Sequence, residues 1–416
     1  MRTSSLHDQT QAAEIAGAPP PPFPYGPALF ALVVGTVGAL AAIYCTQPIL
    51  PLLSADFQVD APTAGLTLSL LTISLAVALL VYGPLSDRVG RRPVLIGSCA
   101  ALALPAFGAM LAPTFGALLI CRVAEGLLAA GISAVALAYI ADEFPRAQLG
   151  LAVGTYTAAM VGAALVGRVG GGLLTAWLGW RGMFGVFGAV ALVGALLLAG
   201  LLPPSRGFQR SGNLGAAYRG AGVHLRNPRM LGIFFVGCAL LFSFMGFFTY
   251  LSYHLAGPPY RLPLWALTLI YGVYAAGAVG PVVGSLSTRT GRRPVLLVGL
   301  VTLAAGMLLT LAASLPVIIA GCVVLAFGMF TAQAVANAYV SDHARVARGA
   351  ASGFYLFSYY LGGSLGVQLT GILWQHAGWA AVIAACVGVA LLAAFVAATV
   401  CRDVPPGADM PPEGPV

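Results

Sequence analysis

The sequence predicts an all-α integral membrane protein of twelve transmembrane helices, arranged as two six-helix bundles. Three observations predict it. Of 416 residues, 59% are hydrophobic and only 8% are charged, against about 25% charged in a soluble globular protein. Twelve apolar runs reach the roughly 20 residues that a helix needs to cross a bilayer. The chain also repeats itself, with landmarks of the first half recurring about 200 residues later.

The runs are 28–52, 62–82, 94–112, 115–141, 150–175, 182–202, 230–251, 263–286, 294–313, 315–340, 349–373 and 379–400. Ahead of them, residues 1–27 carry Arg2, Asp8, Glu14 and the run Pro19 to Pro22. They lack the apolar region of a signal peptide and read as a disordered cytoplasmic tail. The links are short except 203–229, which is polar and contains arginines. This link separates an N-terminal bundle (28–202) from a C-terminal bundle (230–402), and 403–416 reads as a second cytoplasmic tail. The 53 Gly and 28 Pro are scattered through the apolar runs, as transmembrane helices tolerate.

Arginine placement sets the expected orientation. With the N-terminus inside, 16 of the 20 basic residues fall on cytoplasmic segments, and only Arg181 and Arg261 lie on outer loops. The positive-inside rule then puts both termini in the cytoplasm. The net charge of +8 is accounted for by anchoring at the inner leaflet, with no nucleic-acid partner implied. All 20 basic residues are arginine. Without lysine there is no Walker A phosphate loop and no lysine Schiff base. Seven cysteines (Cys45, Cys99, Cys121, Cys238, Cys322, Cys386 and Cys401) show no CxxC pair and read as free thiols. The five histidines lie in tails or at span ends without metal-ligand spacing, so neither metal nor cofactor is expected.

The duplication has three matched landmarks in order. Residues 83–95 (GPLSDRVGRRPVL) follow span 2, and 284–296 (GSLSTRTGRRPVL) follow span 8. Residues 138–142 (AYIAD) close span 4, and 338–342 (AYVSD) close span 10. Gly179-Trp180 precedes span 6, and Gly378-Trp379 precedes span 12. Parallel six-helix repeats with a central binding site are an architecture of secondary transporters.

The 83–96 segment resembles the cytoplasmic signature of the major facilitator superfamily, and with the helix count the resemblance covers residues 28–402. Within that superfamily the chain is similar to twelve-helix drug:proton antiporters. Residues 44–51 (YCTQPILP) and Gly167-Arg168 resemble the arabinose-efflux-permease / YnfM-like group. The resemblance implies the major facilitator fold, a monomer, a bacterial cell inner membrane, and a cytoplasmic latch of ion pairs. The gate residues carried over are Gly83, Asp87, Arg88, Gly90, Arg91, Arg92, Asp142 and Gly284. Asp87 is expected to accept from the start of span 3 or to pair with an arginine. Arg88, Arg91 and Arg92 are expected to reach Asp142 and Glu143. Position 288, a second gate position, is Thr288 where the first copy has Asp87, so the second latch is expected to be weaker. The competing reading is plain positive-inside anchoring.

Three formal charges lie within spans: Arg122 and Glu125 in span 4 and Arg168 in span 5. Each costs roughly 2.5–3.5 kcal/mol at mid-membrane. Arg122 and Arg168 each lie ~10 Å below the outer end, at 1.5 Å per residue, and Glu125 lies one turn deeper on the same face as Arg122. One cluster of all three is therefore expected. At an offset of 200, Arg122 aligns with Cys322, Glu125 with Leu325 and Arg168 with Gln368. The second half forms without these charges, which favours function over a static ion pair. The family pattern L-x-x-x-R-x-x-q-G falls on Leu118, Arg122, Glu125 and Gly126, and in the family that arginine is associated with proton coupling. Glu125 is the only carboxylate within the spans and is the candidate proton carrier. Many of these antiporters carry a carboxylate in helix 1, and this chain has none there. The family's export pattern in span 5 is altered, with Val166 in a glycine position and Gly167 in the proline position.

Aromatics are asymmetric: 13 between 28 and 202, and 23 between 229 and 400. An amphipathic substrate is expected between the charges of one half and the rings of the other, Tyr250 among them. Packing or lipid contact is the competing reading for each ring. Gln47, Gln333, Asn337 and Gln368 are the polar candidates for the cavity. The expected partners are thus a small-molecule substrate, protons and the lipid bilayer. The function expected is secondary active transport, with proton-coupled export of drug-like or weakly acidic solutes. The alternative is an importer or facilitator of sugars or organic acids. An intramembrane enzyme would need a nucleophile and a base at one depth, which one Glu and two Arg do not supply. A non-transporting receptor would not need the duplicated cytoplasmic motif.

Overall fold

The computed structural model describes residues 25–205, 222–279, 283, 287–344 and 348–401. Residues 1–24, the tail at 403–416, most of the 203–229 link and Gly284 lie outside the described residues. The expected N-terminal tail is shortened by the first helix, which begins at Tyr25. Pro27 suits a first helical turn, and the Tyr25 ring meets Phe144 edge-on at 5.6 Å.

Helix α1 spans Tyr25–Phe57 and is interrupted after Tyr44, where a 3-10 turn covers Gln47–Ile49. Pro48 and Pro51 lack N–H groups, so the regular hydrogen-bond ladder fails there. Next come α2 (Ala61–Val89), α3 (Arg91–Met110) and α4 (Phe115–Glu143). Asp60 caps α2 by accepting from the Thr63 N–H, and Thr114 caps α4 by accepting from the Ala117 N–H.

Arg146–Leu201 is one helical run of 56 residues. If straight it would be about 84 Å long, nearly three times the ~30 Å hydrocarbon core. It turns at Gly179, where φ is 71°, giving α5 (146–178) and α6 (180–201). The second half follows with α7 (Pro228–Ala256) and α8 (Leu264–Ile270), which continues as a 3-10 segment over Tyr271–Val279. After these come α9 (Arg292–Leu309) and α10 (Leu315–His343). Arg348–Thr399 turns at Gly378, φ 70°, into α11 and α12.

Among the described residues, nine helical runs are long and apolar enough to cross a membrane. Two of them turn at a glycine into a second helix, and α8, a shorter apolar helix among the described residues, stands where the eighth span is expected, which is consistent with twelve helices. The duplication also appears in the backbone. Gly90 (φ 108°) and Gly291 (φ 94°) precede α3 and α9, as Gly179 and Gly378 precede α6 and α12. Each is a positive φ that side-chain-bearing residues avoid.

Helix α1 packs along α5 and α6, α2 along α4, α7 along α11 and α12, and α9 along α10. Across the halves, α2 lies along α11 and α5 meets α8. Two glycines set the approaches that matter for the site. A Cβ on Gly126 would sit 2.3 Å from the Leu71 carbonyl oxygen, so α4 lies directly on α2. A Cβ on Gly167 would sit 2.3 Å from the Ala41 carbonyl oxygen, so α5 lies directly on α1.

Gly167→Ala is therefore expected to lower the melting temperature of detergent-purified protein through overpacking of about 1–3 kcal/mol. Gly154→Ala, whose Cβ meets nothing within 4 Å, should leave it unchanged in the same assay.

Candidate functional site

The break in α1 leaves carbonyls at membrane depth without helical partners, and such groups must be satisfied inside the protein. Arg122 of α4 does this. Its Nη1 donates to the Ala42 carbonyl at 3.0 Å, its Nη2 to Ile43 at 2.8 Å, and its Nε to Thr67 of α2 at 3.1 Å. Nη1 also pairs with Glu125 Oε2 one turn along the same helix. Arg122 is 0% exposed and Glu125 is 1% exposed. Four of the five N–H donors that a guanidinium carries are thus engaged. Glu125 Oε1 is buried and has no hydrogen-bond partner.

Arg168 of α5 stands in a different setting. Its Nε donates to Gln47 Oε1 at 2.6 Å, and its Nη1 donates to the Ala164 carbonyl of its own helix at 2.9 Å. The guanidinium lies over the Tyr44 ring at 3.9 Å and the Tyr274 ring at 4.2 Å. A desolvated cation–π contact is worth about 2 kcal/mol. Among the described residues no carboxylate lies within ion-pair distance of it. The expected cluster of three charges is therefore two separate arrangements, a closed Arg122–Glu125 pair and an Arg168 clasped by rings and an amide. Depth along the helix axis matched for Arg122 and Arg168, but depth does not specify which way a side chain faces.

Arg168 lines a cavity of about 130 Å³ between the halves, together with Tyr44, Phe244, Tyr274, Gln333, Tyr359 and Tyr360. Beyond it, at the end opposite residues 83–92, hydrogen bonds join the two halves. The Gln47 amide donates to Thr249 at 3.1 Å, and the Ser54 and Tyr253 hydroxyls share a bond of 2.6 Å. Gln368 donates to Ser69 at 2.8 Å, and Gln375 donates to Asp60 at 3.3 Å. At the end carrying residues 83–92, a cavity of about 620 Å³ lies between α2, α4 and α11. Gly83, Asp87 and Arg91 are in its wall.

The other expected site residues divide. Gln47 and Gln333 face the central cavity or its cation. Gln368 belongs to the contact between α2 and α11. Asn337 is exposed and is not in the central lining. Tyr250 is also not there: its hydroxyl donates to the Val367 carbonyl at 2.9 Å, and its ring stacks with Tyr253 and Trp374. Polar or aromatic identity does not reveal which helix face a residue occupies, and these two occupy other faces. The residues missed from sequence are Tyr44, Tyr274 and Thr249. Tyr44 lies one turn from Arg168's partner Gln47, a spacing that could have flagged it; Tyr274 had no local signal.

In the gate segment, Arg91 pairs with Asp142 at 2.6 Å and with Asp87 at 3.6 Å. Arg92 does not take the expected acidic partners. It donates to the Leu202 and Ala199 carbonyls at the end of α6, which satisfies a helix C-terminus. Arg88 is exposed. The second half matches: Arg292 pairs with Asp342 at 2.9 Å, and Arg293 donates to the Ala398 carbonyl at the end of α12. Thr288 in place of Asp87 thus leaves the main pair intact. These bonds tie helices within each half. Among the described residues no group of three or more His, Cys, Asp or Glu could hold a metal.

The sequence profile of the Major Facilitator Superfamily matches residues 32–282 and again 264–415. The chain is 37% identical over 354 residues to the inner membrane transport protein YnfM of Escherichia coli, covering 84% of each chain. It is 32% identical over 384 residues to the uncharacterized MFS-type transporter YybF of Bacillus subtilis, covering 90% of this chain and 93% of that one. Its fold is similar to that of a bacterial homolog of the human lysosomal transporter Spinster in an inward-facing, unoccupied conformation. There the TM-score is 0.75 at 17% identity, over 91% of this chain and 96% of that one. The nucleoside transporter NupG gives a TM-score of 0.75 at 14% identity, over 90% of this chain and all 100% of that one.

Removing Arg122 alone leaves a buried carboxylate without its cation and takes one donor from each of three backbone carbonyls, so Arg122→Met should cost about 3–5 kcal/mol. Glu125→Gln should cost distinctly less, because the guanidinium keeps its carbonyls. Thermal unfolding of the two variants in one detergent checks the order, and equal losses would contradict it.

Proposed function

The chain belongs to the Major Facilitator Superfamily of membrane transporters, and on that premise we propose proton-coupled export of small organic molecules, drug-like or weakly acidic, in the manner of a drug:proton antiporter. The observation that carries the coupling is Glu125, a fully buried carboxylate held at one oxygen by Arg122 and unpartnered at the other. Protonation at Oε1 removes the buried negative charge that Arg122 now balances. The guanidinium is then held by the carbonyls of α1 and α2 alone. Proton occupancy at Glu125 is thereby tied to the grip of α4 on the broken segment of α1, which also carries Gln47 and Tyr44. Intramembrane ionisable residues are functional by default, which supports the same reading.

Orientation rests on the sixteen arginines at loops that the positive-inside rule assigns to the cytoplasm. In that frame the protein is multi-pass in a bacterial inner membrane, with both termini cytoplasmic and acting as a monomer. The hydrogen bonds at Gln47, Ser54, Ser69 and Asp60 form an outer gate, and the 620 Å³ cavity opens inward. This is the state that accepts a solute from inside. The second reading, import or facilitation of sugars or organic acids, draws on Val166, which stands where the export pattern has glycine.

Reconstituted vesicles with an imposed pH gradient provide the test. Wild type should move a weakly acidic or drug-like solute in a gradient-dependent manner, and Glu125→Gln should lose that dependence. A Glu125→Gln variant with unchanged pH dependence removes Glu125 from the mechanism. Asp87→Asn should express normally and lose transport, because the Arg91 network in the wall of the inner cavity is weakened. Normal flux in that variant would sink the latch.

A further inference from the structure

We propose that the central cavity binds a small organic monoanion, a single carboxylate on a compact apolar body, and that Arg168 is its anchor. The proposal rests on the transporter reading above and names the substrate class for that site. The two intramembrane arginines differ in what they leave available. Arg122 has four of its donors on protein acceptors and a carboxylate beside it. Arg168 has one donor on Gln47, one on Ala164 and a 4.0 Å contact to the Met245 sulfur. A guanidinium carries five N–H donors, so Arg168 retains donors in a planar fork, the geometry that matches a carboxylate. Its charge has no acidic partner among the described residues, and a cation at this depth is stable only when paired or hydrated.

A second group points the same way. Tyr274 is 2% exposed, lines the cavity and lies against Arg168, and its hydroxyl has no hydrogen-bond partner. That O–H is a second donor in the wall of the same cavity that an anionic ligand could engage. Across the cavity, Gln333 adds a neutral polar group among aromatic walls. One uncompensated positive charge matches one negative charge. A second negative charge would stand unpaired among rings, and a cation would be repelled. The volume of about 130 Å³ is well below the ~300–1,000 Å³ of sites that hold drug-sized ligands, so the body attached to the carboxylate is small.

Titration calorimetry on purified full-length protein at neutral pH, with benzoate, benzamide and benzylamine as probes, tests the assignment. Benzoate should bind at least about tenfold more tightly than its neutral isostere benzamide, the difference expected of charge-assisted hydrogen bonds. Benzylamine should not bind. Arg168→Gln should erase the preference for benzoate over benzamide, and Arg168→Lys should retain part of it. Equal binding of benzoate and benzamide by wild type, no benzoate binding, or a preference that survives Arg168→Gln overturns the proposal. The wild-type comparison decides even where the Arg168→Gln variant does not fold. Selective benzoate binding without gradient-driven benzoate flux in vesicles would leave the anion site standing and remove the coupling reading. Gradient-driven flux of benzamide equal to that of benzoate would do the reverse.

Discussion

Arg122 answers a problem created by the interruption of α1. The regular helix of α1 stops at Tyr44, just ahead of Pro48 and Pro51, and the last carbonyls of that helix need partners inside the protein. The Arg122 guanidinium takes Ala42 and Ile43 on one side and Thr67 on the other, and so joins α1, α2 and α4 at one point. The charge this brings into the membrane is balanced by Glu125 on the next turn. Gly126, which allows α4 to lie on α2, is what brings the guanidinium within reach.

The second half shows why that solution is confined to the first. Helix α7 takes the place of α1 and runs unbroken over Pro228–Ala256, with no proline in the stretch that corresponds to residues 48–51. Its carbonyls are satisfied within the helix. Cys322 and Leu325, at the positions of Arg122 and Glu125, are buried and apolar. The charges of α4 therefore follow from the break in α1 as well as from any coupling role. The break gives the central cavity its shape, because it turns Tyr44 and Gln47 toward Arg168.

Much of this fold was legible in the sequence because its determinants are local. Apolar run length places the spans. The duplicated GRRPVL segments mark the tight turns at Gly90 and Gly291, and the paired Gly-Trp steps mark the turns at Gly179 and Gly378. The identity of the buried charges was legible too, since an Arg or Glu in an apolar run has no ordinary reason to be there. Their partnership was not. Arg122 and Arg168 lie at one depth, but the rotation of α4 and α5 about their axes depends on which small residues face α2 and α1. Asn337 and Tyr250 were misplaced for the same reason. The ring that lies against Arg168, Tyr274, comes from the opposite half and over a hundred residues away, and only the folded bundle brings it there.

Gln47 holds two helices with one side chain. Its carbonyl accepts from Arg168 of α5, and its amide donates to Thr249 of α7. A planar amide cannot rotate toward one partner without turning its other edge away from the second. The hold on the central cation and one of the hydrogen bonds that join the halves therefore share a single side chain. Thermodynamic linkage makes their relation reciprocal: a perturbation that favours one geometry at Thr249 is felt as a change in the donors available at Arg168, and the converse holds with equal size.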